Sequence, residues 1–142
     1  MTVKELFEKY CAKTEDGEYV CRCHCIKLKP ASEEELAAFR ELCREYGVEQ
    51  SVADELAEYY SQNNSLFGYF TCDDSGLFEW WNDGDQCSIW LGNLDDDCFI
   101  YDAIDRKYAI GFAGSKDSGV YDSLMEMLEA YLKEGWENGW NN

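Results

Sequence analysis

Residues 87–112, CSIWLGNLDDDCFIYDAIDRKYAIGF, decide the fold class. Three short runs rich in β-branched and aromatic residues, 88–91, 98–101 and 108–110, alternate with stretches of Gly, Asn and Asp, the composition of hairpin turns. This spacing predicts consecutive strands at the middle of an antiparallel sheet. The connections are almost purely acidic, so one edge of the sheet is either a solvated rim or a recognition surface.

Two more strand-like runs precede this stretch, 66–71 and 77–81, divided by the turn-prone Asp73-Asp74-Ser75-Gly76 and followed by Asn82-Asp83-Gly84-Asp85. They predict another hairpin. Upstream, Ser32 with Glu35 forms a capping box for a helix over 32–46, with Leu36, Phe39, Leu42, Cys43 and Tyr46 on one stripe and Gly47 as its stop. Ser51 with Asp54 repeats the signal for a helix over 51–63 that ends at Asn63-Asn64, and the short connection predicts that the two helices pack as a hairpin.

At the N-terminal end, Thr2 and Glu5 open an amphipathic helix over 2–13, with Val3, Leu6, Phe7 and Tyr10 on its apolar side. Residues 19–28 alternate with period two and read as one edge strand ended by Pro30, with Cys21, Cys23 and Cys25 on one face and His24 on the other. After a polar link over 115–119, a closing helix is expected from about Val120, with Leu124, Met127, Leu128, Tyr131 and Leu132 buried and Gly135 as its stop. The tail 136–142 docks through its tryptophans. The fold expected is a single α+β domain over 1–142, an antiparallel sheet meander with helices packed on one face. Its core spans about 32–134, with an N-terminal helix and edge strand before it and a tail over 135–142.

The totals bound the function. With 142 residues, 46% apolar and 15% aromatic, the chain can bury one core. Thirty acidic against twelve basic residues give a formal charge of −18, which repels nucleic-acid phosphates and anionic lipid alike. Residues 1–50 hold 11 acidic and 8 basic side chains, residues 51–142 hold 19 and 4, so the negative field belongs to the sheet and closing helix. No apolar run reaches the roughly 18 residues of a membrane helix, and the start is amphipathic, so a cytoplasmic protein is expected. The eight cysteines sit among ample core residues and read as reduced, packed thiols rather than a disulfide framework.

The order helix, loop, helix ending in Asn63-Asn64, then a meander with Gly92-Asn93-Leu94-Asp95-Asp96 and Phe99-Ile100-Tyr101-Asp102, then a closing helix with Asp122-Ser123-Leu124, resembles the SUKH superfamily of yeast cell-wall-assembly regulators and bacterial immunity proteins. The resemblance covers roughly residues 32–134. The chain departs from it at Gln50-Ser51, where a Leu-Pro pair is common, and in the cysteine-rich stretch 21–25. It implies a one-domain α+β protein without catalytic residues. In bacterial members it implies neutralisation of a toxin, often a nuclease, by binding, and in the yeast branch an adaptor role.

Three constellations bear on chemistry. Cys21, Cys23 and Cys25, with a further ligand from Cys11, Cys43, Cys72, Cys87 or Cys98, would suit zinc. They lack the paired knuckle spacing of structural zinc sites, so packed thiols are preferred and no metal or cofactor is expected. The carboxylates Asp73, Asp74, Glu79, Asp83, Asp85, Asp95, Asp96 and Asp97 fit neither a calcium loop nor a specified acid/base pair. They are either solvated or contacts for a partner. Trp80 and Trp81 alternate on a strand, so one enters the core and the other lies near the surface as an interface anchor or under a cover. His24, the single histidine, adjoins no nucleophile motif, so no catalytic residue is assigned. The expectation is a non-catalytic acidic protein, a monomer or weak homodimer, that binds a basic toxin domain through these carboxylates and Trp80 or Trp81. A regulatory adaptor and a metal- or carboxylate-dependent enzyme are the alternatives.

Overall fold

The computed structural model describes residues 1–84, 86–111 and 118–142. Asp85, Phe112 and most of the polar link at 115–119 therefore lie outside the described residues. In chain order come α1 (Val3–Tyr10), β1 (Tyr19–Cys21), β2 (His24–Ile26), α2 (Glu33–Tyr46), α3 (Gln50–Tyr60), a 3-10 turn (Ser75–Phe78), β3 (Trp81–Asp83), β4 (Gln86–Leu94), β5 (Asp97–Asp102), β6 (Lys107–Gly111), β7 (Gly119–Tyr121) and α4 (Leu124–Glu137). Strands β3 to β7 form an antiparallel meander in sequence order, and β1–β2 is a separate hairpin. The domain is α+β, as the periodicities predict.

Alternation along the strands sorts the sheet into two apolar faces. Ile89, Leu91, Phe99, Tyr101, Tyr108 and Ile110 join the main core with the buried stripes of all four helices, including Phe39, Leu56 and Tyr60. Leu36 and Leu42, expected inside, are only half-buried. Cys98, Ile100 and Ala109 point to the opposite face, where Trp80 and Trp90 pack over them. From Cys98 to Asp102 every residue of β5 is buried, so the central strand needs cover on both sides.

The expected strand at 66–71 is a loop, joined only by a bridge between Ser65 and Thr71. Phe67 (φ 58°) and Gly68 (φ 76°) hold left-handed conformations that turn the chain sharply. For a bulky residue such a φ costs about 1–2 kcal/mol. The loop wraps an edge, because β3 pairs only with Gln86 and Cys87 and leaves the rest of β4 without a neighbouring strand on that side. Phe67 goes inward, its ring 5.0 Å from Phe99 and 5.4 Å from Tyr131, while Tyr69 and Phe70 go outward onto Trp90. Gly92 permits this crossing, since a Cβ there would meet the Leu66 carbonyl, and the register of β4 slips between Trp90 and Gly92 as a bulge. The second expected strand, 77–81, is divided between the 3-10 turn, capped by Asp74 Oδ1 on the Gly76 amide at 2.7 Å, and β3.

Other boundaries also moved. Residues 19–28 are not one strand: Arg22 (φ 50°) and Cys23 (φ 70°) make a two-residue turn between β1 and β2. The cysteines therefore do not share a face; Cys21 is buried, whereas Cys23 and Cys25 are exposed. The Ser51–Asp54 box does not form; α3 begins at Gln50, and Asp54 instead accepts from Arg40 at 2.9 Å and Gln50 at 2.8 Å. The hydrogen bond from Arg40 holds the Asp54 carboxyl below its ordinary range. Val120 lies in β7, not in the closing helix, which starts at Leu124 behind the Ser123 cap and runs past Gly135.

The chain ends are clasped together. Asn141, fully buried, accepts from the Arg22 amide at 2.9 Å and donates to the Tyr10 and Leu132 carbonyls at 2.9 Å each, while its own carbonyl takes the Ala12 amide at 2.8 Å. A Cβ at Gly135 would collide with the Asn141 side chain, so this glycine inside α4 makes room for the tail. The Arg22 guanidinium carbon lies 3.7 Å from the Tyr131 ring centre and 4.9 Å from that of Trp140. Trp140 thus meets Arg22 with one part of its ring, yet both Trp136 and Trp140 stay exposed, and the tail is docked by Asn141 rather than by its tryptophans. Replacing Asn141 by Ala takes the partner from the Arg22 amide and the Tyr10 carbonyl, while the Leu132 carbonyl keeps its place in the α4 ladder, and each buried polar group so orphaned costs about 1–3 kcal/mol. Urea unfolding of Asn141→Ala is expected to show a loss of about 3 kcal/mol; a loss below about 0.5 kcal/mol would mean that the tail does not hold the ends together.

Candidate functional site

The outer face of the sheet carries a stack of rings. Trp80 lies parallel to Trp90, with centres 4.3 Å apart and planes 3° from coplanar. Trp90 meets Tyr69 at 5.2 Å and Phe70 at 5.1 Å, the latter edge-on at 82°. Strand alternation aims Trp90 outward, the wrapped loop delivers Tyr69 and Phe70, and the chain between the 3-10 turn and β3 delivers Trp80. The Trp90 indole is fixed by its Nε1–H donating to Asn93 Oδ1 at 2.6 Å. Tyr69 remains 51% exposed, which for a ring on a sheet face is open contact area.

Trp80 and Trp81 go to opposite sides of the sheet, although both are half-buried and Trp80 lies in the turn before β3 rather than on a strand. Trp81 turns to the helix side, with its ring 6.0 Å from Phe78, which in turn stacks on Tyr46 at 4.6 Å. It lines a cavity of about 130 Å³ with Val48, Val52 and Tyr101. Trp80 is half-buried on the outer face; among the described residues Trp90 is the one ring against it, and no described ring or cation covers its other side.

The candidate carboxylates separate into two groups. Asp73, Asp74 and Glu79 are exposed and belong to the segment that flanks the rings. A Cβ at Gly76 would fall 2.6 Å from Phe70 Cε1 and 3.0 Å from Asp74 Oδ1, which puts that carboxylate beside the aromatic stack. Asp83 is exposed at the end of β3. Asp95, Asp96 and Asp97 lie at the other end of β4, about 27 Å away at roughly 3.4 Å per residue.

That far group is engaged within the molecule. Asp95 Oδ1 is 2.8 Å from His24 Nε2, and Asp97 accepts the Tyr131 hydroxyl at 2.6 Å with the Arg22 guanidinium at 3.8 Å. Burial, together with the bond to Asp97, raises the Tyr131 phenol above its ordinary range and keeps it a donor. Asp96 is exposed beside them. The structure therefore places Asp74 beside Phe70, leaves Asp73 and Glu79 exposed in the same segment, and holds Asp95, Asp96 and Asp97 apart at the far end of β4. Trp90, Tyr69 and Phe70 escaped the reading of the sequence as site residues. Trp90 carried a signal, since it alternates against Ile89 and Leu91 on a strand whose inner face those residues fill; the loop rings carried none.

Among the described residues, no three His, Cys, Asp or Glu side chains converge to hold a metal. No described helix is long and apolar enough to cross a membrane. A cavity of about 290 Å³ lies between Lys4, Lys13, Tyr19, Leu28, Pro30 and Gln62, away from the candidate carboxylates. No disulfide joins the eight cysteines, all of which lie among the described residues: Cys23 and Cys25 are exposed, Cys87 is half-buried and the other five are buried. Burial pushes Cys43 and Cys72 up to about 12, and the contact with Cys21 raises Cys11, so these groups stay protonated and unreactive at neutral pH. Titration of the native protein with a disulfide reagent is expected to modify Cys23 and Cys25 rapidly and Cys87 more slowly, with the remaining five released on unfolding. Rapid modification of more than three thiols would contradict the packing described.

No family model, curated protein or solved structure matches this chain.

Proposed function

We propose that the chain is a non-catalytic binding protein that captures a basic protein domain on the outer face of its sheet. The observation that carries this reading is the Trp80–Trp90 stack with the half-exposed Tyr69 beside it, bordered by exposed carboxylates on a chain of net charge −18. Aromatic anchors inside a polar rim are the common composition of energetic centres in protein interfaces. The likeness to the SUKH superfamily directs the reading toward an immunity protein, with a toxin domain, such as a nuclease with a basic active-site cleft, as the partner. Blocking such a cleft requires area and complementary charge, not chemistry, in keeping with a site made of rings and carboxylates.

Charge and rings have separable kinetic roles. A negative field steers a basic domain and raises association from about 10⁵–10⁶ to 10⁸–10⁹ M⁻¹s⁻¹ at low salt, whereas desolvated anchors set the rate of escape. With a basic toxin domain encoded beside this chain as the partner, surface plasmon resonance is expected to show association slowing steeply as salt rises toward 1 M, where the Debye length is about 3 Å. The triple change Asp73→Asn, Asp74→Asn and Glu79→Gln, which keeps the acceptor oxygens of the turn, should lower the on-rate by about tenfold with little change in off-rate. Trp80→Ala should do the reverse. Binding that is indifferent to salt and to both sets of changes would sink the proposal.

A further inference from the structure

We infer that Cys11 and Cys21 form a redox-active dithiol, a site at which a low-molecular-weight disulfide oxidant closes a covalent staple between the end of α1 and β1. The strand register places the two residues opposite one another. Cys11 ends α1 in an extended conformation, φ −136° and ψ 140°, and the chain after it runs antiparallel to β1, with Lys13 paired to Tyr19. The Val20 amide donates to the Ala12 carbonyl and the Thr14 amide to the Glu18 carbonyl, both at 2.8 Å, which makes Lys13 and Tyr19 a non-hydrogen-bonded pair. Two positions along, the same register sets Cys11 across from Cys21 in a second pair of that kind. Such pairs bring their Cα atoms to about 4.5 Å, inside the span of roughly 4.4–6.8 Å that a disulfide bridges. The two thiols are in contact, and both residues are buried, at 5% and 0% exposure.

The surroundings favour this pair over the neighbouring thiols. On its other edge β1 sets His24 across from Cys21, while Cys25 lies across from Val20. Cys23 is exposed in the turn between the strands. Beyond Cys11 and Cys21 the next rung, from the Arg22 amide to the Tyr10 carbonyl, is not direct: the Asn141 side-chain amide stands in it, accepting from Arg22 and donating to Tyr10. The thiol pair is therefore adjacent to the clasp of the chain ends, and a bond there ties α1 to the β1–β2 hairpin without help from the tail. Closure balances as two exchanges. The thiolate of one cysteine attacks the S–S bond of the oxidant, forming a mixed disulfide and releasing one small thiolate. The second cysteine gives its proton to water and attacks the protein sulfur of the mixed disulfide, expelling the other small thiolate. Two electrons pass from the cysteines to the oxidant. Attack takes place while the segment is open, because the closed fold shields both sulfurs, and the same shielding then guards the finished bond from reductant.

The test uses the full chain, reduced and unfolded in urea, then refolded at mildly alkaline pH in a mixture of oxidised and reduced glutathione, so that burial does not limit access. Peptide mapping without reduction should find Cys11 joined to Cys21, two of the eight thiols lost, and no glutathione retained on either. The urea midpoint of the oxidised protein should lie about 1 M above that of the reduced protein, because the bond constrains the unfolded chain. The double change Cys23→Ser and Cys25→Ser, at two exposed positions, should leave both the bond and the shift in place. Retention of all eight thiols, or Cys21 joined to Cys23 or Cys25, overturns the pairing. A bond between Cys11 and Cys21 that leaves the midpoint unchanged or lowers it overturns the staple.

Discussion

The constraint from which the architecture follows is that β5 is apolar on both faces. Side chains along a strand alternate between two sides, so a strand with Phe99 and Tyr101 on one and Cys98 and Ile100 on the other must be covered twice. Four helices cover the inner side. For the outer side the chain uses two tryptophans and a loop, and burial of Ile100 to 2% and Ala109 to 0% shows how closely the sheet is covered there. The difference between a layer of helices and a layer of rings is the origin of the candidate site. Helices present a polar outer surface to solvent, whereas a single layer of aromatic rings leaves part of its own apolar area facing outward.

The loop at 65–71 joins the two layers. Its left-handed Phe67 and Gly68 send one ring into the main core and the next two onto Trp90, and the glycine at position 92 gives its main chain room to pass. Strain at Phe67 is held by ring contacts with Phe99 and Tyr131, both central to the inner core. The position of Tyr69 on the outer face is thus fixed by packing on the inner face. The Arg22–Asn141 clasp does comparable work at the far end, closing α1, the β1–β2 hairpin and α4 on one another and occupying Asp97.

What the sequence disclosed follows the range of the forces involved. The meander, the Thr2 and Ser32 caps and the stripes of α2, α3 and α4 were legible because they are local: alternation, capping and helical spacing are written within a few residues of one another. The hairpin at Arg22-Cys23 was not, since neither residue is a usual left-handed turn former and the turn is held by Asn141, more than one hundred positions away. The run 66–71 read as a strand because its rings are divided between the two faces of the sheet, Phe67 inward and Tyr69 and Phe70 outward, which gives a loop the composition of a strand. The candidate site was half legible. Acidic turns and paired tryptophans stood out, yet their division between two ends of β4, and the internal engagement of Asp95 and Asp97, depend on partners contributed by β2 and α4.

The central claim is that recognition belongs to the outer ring layer and its bordering carboxylates, and not to the acidic turn at the opposite end of β4. Hydrogen exchange with and without a bound basic partner tests this most directly, because the two regions lie on separate stretches of chain. The account predicts slowed exchange over residues 69–80 and at Trp90, with residues 95–97 unchanged. Protection confined to 95–97 and the β1–β2 hairpin, with 69–80 unaltered, would contradict it.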